Sequence, residues 1–255
     1  MFLQVAKKAA KKAGNITEKY FGNLDSSKIE QKSKKDFVTK ADKEAEEEIK
    51  KIILETFPEH GFWGEETGKS NVENEYVWVV DPIDGTTNFI HNIPLYSVSI
   101  ALSKNNEIIL GVVYIPKTNE LFYAEKAKGA FCNDKKISVS TTKKLEDSVC
   151  AIEFWSRNDE HRKQGLKELM YFGERVSKLR YLSSTVFELC RVAKGDLDFC
   201  KLDTTFLDIA AATLLVEEAG GKCTKSNGEH ISQKTAPDIM RIVASNAHLY
   251  NTLKE

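Results

Sequence analysis

Residues 78–89 read Trp78-Val79-Val80-Asp81-Pro82-Ile83-Asp84-Gly85-Thr86-Thr87-Asn88-Phe89. An apolar run of strand composition ends on Asp81. Pro82 lacks a backbone N–H and cannot extend an interior ladder. Asp84 follows, Gly85 permits an unusual backbone turn, and Thr86, Thr87 and Asn88 open a helical turn. Two carboxylates therefore stand at a strand end beside unpaired backbone N–H groups. Oxygen ligands suit a divalent cation, and amide donors suit a phosphate. A bare Asp-x-x-Asp would read as turn residues; the full string reads as a site.

Two further acidic elements flank this one. Upstream lies Gly64-Glu65-Glu66, which alone is a solvated charge pair. Downstream, Asp208 sits in Leu207-Asp208-Ile209-Ala210-Ala211-Ala212, ahead of Glu217-Glu218-Ala219-Gly220-Gly221. Thr205 and Asp208 also fit a helix cap. The run of alanines predicts that another backbone approaches this helix closely.

Two helices open the chain, near 2–21 and 40–56, the second capped by Thr39 with Asp42 in its first turn. Strands are expected at 76–80, 97–102, 108–115 and 120–124. The polar stretch Ser140 to Asp147 divides the chain into halves, 1–142 and 143–255. The second half alternates: strand 149–152, helix 158–172, strand 178–182, helix 185–194, strand 197–201, helix 206–219 and strand 241–245. Thr185 and Glu188 fit a capping box, and Gly195 and Gly220-Gly221 close helices. This order predicts layered sheets with helices between and outside them.

Composition excludes several classes. The 255 residues are 41% hydrophobic, with 37 Lys plus Arg against 38 Asp plus Glu and a net charge of -1. That is too apolar and too balanced for a disordered chain, and it lacks the basic excess of a protein that grips nucleic acid. The five cysteines are odd in number, widely spaced and without a CxxC pair, which reads as lone buried thiols in a reducing compartment. No segment approaches the ~18 apolar residues of a membrane span. The alanine-rich stripe of the first helix, with lysines opposite, reads as packed on its own core rather than on a membrane. The cytoplasm is the expected address.

Together, Gly-Glu-Glu, Asp-Pro-Ile-Asp-Gly-Thr-Thr-Asn-Phe and the distal Asp-x-Ala-Ala followed by Glu-Ala-Gly-Gly resemble the inositol monophosphatase family, within the magnesium-dependent, lithium-sensitive sugar and nucleotide phosphatases. The resemblance covers nearly the whole chain. It implies an α+β fold, a layered αβαβα sandwich, and hydrolysis of a small phosphorylated substrate such as inositol monophosphate. It implies that Glu65, Asp81, the Ile83 carbonyl, Asp84 and Asp208 hold two or three Mg²⁺ ions. Glu65 and Thr86 would orient a water held by the metal for direct attack, with Asp36 supporting Thr86. Gly85, Thr86 and Thr87 would meet the phosphate, and Asp42 would sit near the metal loop. Like charges about 4 Å apart repel by roughly 4 kcal/mol at an effective dielectric of 20, so such a cluster makes little sense except as a cation site. A homodimer is expected from the family, and neither nucleic acid nor membrane as the main partner.

Departures bear on the substrate. Leu207 stands where the family often has Trp. Where inositol-preferring members often carry Glu, this chain offers Lys201 or, by the other count, Cys200. The substrate segment reads Ser183-Ser184-Thr185, and Ser184 and Thr185 are expected to touch substrate, with Lys201 meeting a second anionic group. That would favour fructose 1,6-bisphosphate or a 3′(2′),5′-bisphosphate nucleotide; histidinol phosphate is a further alternative. A regulatory protein without turnover is disfavoured, because every matched catalytic position holds a competent residue.

Overall fold

The computed structural model describes the whole chain except residues 25–28, 34–35, 155–158, 235–237 and 254–255, and the side chains of 29–33 and 36–38. A long helix, α1 (Phe2–Tyr20), precedes a hairpin of β1 (Ile29–Ser33) and β2 (Asp36–Thr39), and then α2 (Lys40–Thr56). Eight strands follow in one sheet: β3 (Gly61–Gly64), β4 (Gly68–Ser70), β5 (Tyr76–Asp84), β6 (Ser97–Lys104), β7 (Glu107–Ile115), β8 (Glu120–Glu125), β9 (Ala130–Cys132) and β10 (Lys135–Lys136). Their order is β10-β9-β8-β7-β6-β5-β3-β4. Every pair is antiparallel except β3 with β5.

The period-2 alternation of these strands sorts the core into two faces. Trp78, Val80, Ile100, Leu102, Val112 and Tyr114 pack beneath α1 and α2. Val79, Ala101, Val113, Ile115 and Phe122 point the other way, onto α5 (Thr185–Lys194) and α6 (Phe206–Glu218). Beyond those helices lies a second sheet of β11 (Val149–Ile152), β12 (Lys178–Arg180), β13 (Phe199–Thr204), β14 (Lys222–Lys225) and β15 (Met240–Ser245), in the order β12-β11-β13-β15-β14. Cys200, Leu202, Ile242 and Ala244 face α5 and α6. Cys150, Phe199 and Val243 face outward, onto Phe172 of α4 (Asp159–Gly173) and the C-terminal turn. The result is the expected α+β sandwich of five layers, αβαβα, with one continuous core between the two sheets.

Several sequence expectations meet their physical reasons here. The α1 stripe packs inward: Ala6, Ala9, Ala10 and Ala13 are buried, and a Cβ on Gly14 would strike the Tyr114 ring. The predicted close approach to the alanine run is that of Gly111, where an added Cβ would lie 3.0 Å from Ala211 Cα. All five cysteines are free and buried. Among the described residues no helix is long and apolar enough to cross a membrane.

Others are corrected. β5 does not stop before Pro82 but runs to Asp84 through a bulge, with Asp81 paired to Ser99 and Asp84 to Ser97; the bulge absorbs the proline's missing donor. The Thr185–Glu188 capping box is absent: Ser184 is the N-cap, without a side-chain cap. The short strands β3, β4, β9, β10 and β14 are too brief, at two to four residues each, to be read from periodicity.

Candidate active site

The carboxyl ends of β3, β5, β11 and β13 converge with the first turns of α5, α6 and the short helix α3 (Thr86–Ile90) around one cavity of about 800 Å³. Its walls include Glu65, Asp81, Ile83, Asp84, Gly85, Thr86, Thr87, Thr185 and Asp208. Most of the expected site residues are thus brought together, from both sheets.

Each acid is held by its own local structure. Asp81, 3% exposed, accepts the Ile83 N–H at 3.0 Å across the bulge. Asp84, 8% exposed, accepts hydrogen bonds at Oδ2 from Ser184 Oγ, from Val186 N at 3.1 Å and from Ser97 Oγ at 3.3 Å. Asp208 is the third residue of α6 and closes a true capping box. Its Oδ2 accepts Thr205 N at 3.0 Å and Thr204 Oγ1 at 3.2 Å, and its N–H donates to Thr205 Oγ1. The cap and the site are therefore the same residue, and Oδ1 stays outside the cap. Glu65 is exposed in the turn between β3 and β4, with its N–H on Val80 O at 3.2 Å, and it shares a hydrogen bond with Asp81.

The electrostatics are those of crowded acids. Burial first, then the charges of Glu65, Asp84 and Asp208, push Asp81 well above the ordinary carboxylate range. Burial raises Asp84 to about 6 against the pull of the donors from Ser184, Val186 and Phe187. Burial and the charge of Asp84 bring Asp208 to about 6. Among the described residues no Lys or Arg forms a salt bridge with Asp81, Asp84 or Asp208. Nor do three or more His, Cys, Asp or Glu side chains among them already stand in an arrangement that could hold a metal ion. The donor chemistry, all hard oxygen with unbalanced negative charge, nevertheless fits a divalent cation.

Beside the acids, Gly85 takes φ 87, and a Cβ there would lie 2.9 Å from Leu95 O. Thr86 Oγ1 donates to Ile83 O at 3.0 Å. Asn88 Nδ2 donates to Leu95 O at 2.9 Å, Leu182 O at 2.7 Å and Ser183 O at 3.1 Å, tying this turn to the second half of the chain. Ser183 is in the left-handed region, φ 56, and lines the cavity.

Two expected residues, Lys201 and Ser184, sit elsewhere. Lys201 is 2% exposed and points into the outer layer, with Nζ 3.4 Å from Glu168 and donating to Leu253 O at 3.3 Å. Period-2 geometry puts it on the same face as Phe199, away from the cavity, so it does not meet substrate there. The alternative at that position, Cys200, faces the inner core. Ser184 is 2% exposed and serves Asp84 rather than the cavity wall. Asp42 closes the cap of α2, its Oδ2 accepting Thr39 N at 2.8 Å and Thr39 Oγ1 at 2.6 Å. Burial raises it to about 7, against the Thr39 hydrogen bonds and with help from Glu65 and Glu66, so it does lie near the acidic turn. Asp36 lies in β2, and its side chain is outside the described residues.

Two acids escaped the sequence reading. Glu46, fully buried on α2, accepts Glu66 N at 2.8 Å and Thr67 N at 2.7 Å and so fixes the turn that carries Glu65. Its signal was available: Asp42, Glu46, Ile49 and Ile53 share one helical stripe, and an acid on a buried stripe needs a partner. Glu153 follows β11 and lines the cavity; burial, then the charges of Asp84, Asp203 and Asp208, raise it to about 8.

Comparison with known proteins gives a consistent picture. The model of the inositol monophosphatase family matches residues 1–255. A fructose-1,6-bisphosphatase/inositol-1-monophosphatase of Aquifex aeolicus is 37% identical over 227 residues, covering 88% of this chain and 85% of its own. An inositol-1-monophosphatase of Rhizobium meliloti is 34% identical over 255 residues, covering 99% and 94%. The crystal structure of the extragenic suppressor protein suhB from Bartonella henselae superposes with a TM-score of 0.91 at 36% identity, covering 99% of this chain and 96% of that one.

Proposed function

The chain belongs to the inositol monophosphatase family, and from that membership we propose that it hydrolyses a small phosphate monoester with Mg²⁺ as cofactor. One observation carries the reading: Asp81 and Asp84 from one sheet meet Asp208 beside the other, none of the three in a salt bridge with Lys or Arg among the described residues, in the cavity that also holds the first turn of α3. Asp81, Asp84, Asp208, Glu65 and the Ile83 carbonyl would hold the metal. Bound there, it would supply Lewis acidity and make water acidic enough to serve as a nucleophile near neutral pH.

The chain's own groups do the rest. Gly85, Thr86 and Thr87 receive the phosphate at the start of α3, where N–H groups lack intrahelical partners. The Thr86 hydroxyl spends its proton on Ile83 O, so its oxygen is an acceptor that orients water. Glu65 takes the proton, and no covalent phosphoenzyme is needed. Asp36 would accept the Thr86 hydrogen bond in place of Ile83 O when that carbonyl serves the metal, and Thr185 contacts the alcohol. The halves 1–142 and 143–255 each bring part of the site, in a cytoplasmic homodimer sensitive to lithium.

A bisphosphate substrate is the second reading, because the Aquifex relative is named for both activities. The withdrawal of Lys201 from the cavity weighs against it. The test is phosphate release from a panel including inositol 1-phosphate and fructose 1,6-bisphosphate, with Mg²⁺ and with chelator. Mg²⁺-dependent release that Asp84→Asn abolishes is expected. Release indifferent to chelator would overturn the reading.

A further inference from the structure

Glu153 reaches the cavity from the five-stranded sheet, whereas Gly85, Thr86 and Thr87 reach it from the eight-stranded one. Its backbone is pinned on both sides: its N–H donates to Lys201 O at 2.9 Å, and its carbonyl accepts Arg241 Nη1 at 3.1 Å. Arg241 is in turn fixed by Asp203 at 2.9 Å and by Glu168. The side chain is not held in this way. Its Oε2 is buried and has no hydrogen-bond partner among the described residues. Behind it, Glu188 is fully buried, gives Oε1 to Leu182 N at 3.0 Å, and also has an unsatisfied Oε2.

A buried carboxyl oxygen without a hydrogen-bond partner has lost its hydration and gained nothing in return. No Lys or Arg is in hydrogen-bond reach of it among the described residues, and its strongest charged neighbours, Asp84, Asp203 and Asp208, are acidic. A second phosphate on the substrate would bring more acceptors and more negative charge. A hydroxyl group both donates and accepts, and so supplies the missing partner whether or not the acid holds its proton. We propose that Glu153 is a specificity-determining residue that hydrogen-bonds a hydroxyl on the alcohol part of the ester, selecting polyol monophosphates over esters without such a hydroxyl. The inference rests on the phosphomonoesterase reading above. It gives the strand-end acid the role that Lys201, turned to the other face, does not play.

The test compares two esters at saturating Mg²⁺, inositol 1-phosphate and p-nitrophenyl phosphate, which has no hydroxyl. Glu153→Gln and Glu153→Ala should raise KM for the inositol ester, with kcat little changed, and lower the ratio of kcat/KM between the two esters about tenfold. That ratio is independent of the fraction of variant that folds. A ratio unchanged in both variants, through equal losses or no loss, overturns the role of Glu153 and leaves the phosphatase reading standing. Wild-type protein that cleaves neither ester overturns both.

Discussion

Glu46 fills the space that a side chain at residue 64 would need: a Cβ built on Gly64 lies 2.5 Å from Cδ and 2.7 Å from Oε2 of Glu46. The glycine lets an acid from α2 reach across to the Glu66 and Thr67 amides and set the turn bearing Glu65. Gly64→Ala and Glu46→Ala should therefore do the same damage. Each should raise the Mg²⁺ concentration for half-maximal activity about tenfold, and the double variant should be no worse than either alone. A Mg²⁺ titration of the four proteins checks this; fully additive effects would separate the two residues.

Gly111 plays the same part for the second half of the site. A Cβ there would lie 3.0 Å from Ala211 Cα and 3.1 Å from its carbonyl carbon, and backbone cannot rotate away as a side chain can. Gly111→Ala should cost about 2–3 kcal/mol, at the upper end of overpacking effects. Because the displaced helix is α6, activity should fall together with stability. Urea denaturation and phosphate release read the two.

Lys201 and Arg241 share Glu168 but should not be equivalent. Lys201→Met leaves Glu168 paired with Arg241, so stability should change by only about 1 kcal/mol. KM for the best ester should stay within about twofold, since the lysine is outside the cavity, a change worth under 1 kcal/mol. Arg241→Met leaves both Glu168 and Asp203 without their arginine and should cost about 3–5 kcal/mol. A marked KM effect of Lys201→Met would return the lysine to the substrate.

How much of this was legible beforehand depends on whether a residue's role is local. Asp81, Asp84 and Asp208 were readable because strand-end and helix-cap positions declare themselves in neighbouring residues. The long strands were readable because period 2 persists through β5 to β8. Lys201 was misplaced because one step along a strand reverses a side chain. A count back from Asp208 gives the position in the chain, but the face follows from the pairing of β13 with β15. Glu46 and Glu153 act across 20 residues and between sheets. Only tertiary packing shows what they touch, although both broke an apolar pattern in a way that could have been flagged.

The acidic site should also leave a signature in stability. In the metal-free protein Asp84 and Asp208 stand at about 6, Asp42 at about 7 and Glu153 at about 8, all above the usual carboxylate value. A carboxyl raised in the folded state binds its proton more tightly there than in the unfolded chain. The associated stability is present at and below the unfolded pKa, about 4, and is lost as pH rises through the folded values. Glu120 has the opposite sign: burial would raise it, but Arg191 and Lys194 bring it down to about 2, so its contribution is constant above pH 5. With chelator present, Tm should therefore fall from pH 5 to pH 8, by about 5 °C or more for a chain of this size. Mg²⁺ binds the deprotonated carboxylates of the folded state, so its stabilising effect should grow over the same range and cancel the fall. Melting curves at pH 5, 6, 7 and 8, with Mg²⁺ and with chelator, measure both trends. A chelated protein whose Tm climbs toward pH 8 would mean that these acids are not crowded in solution, and the cation site would lose its physical basis.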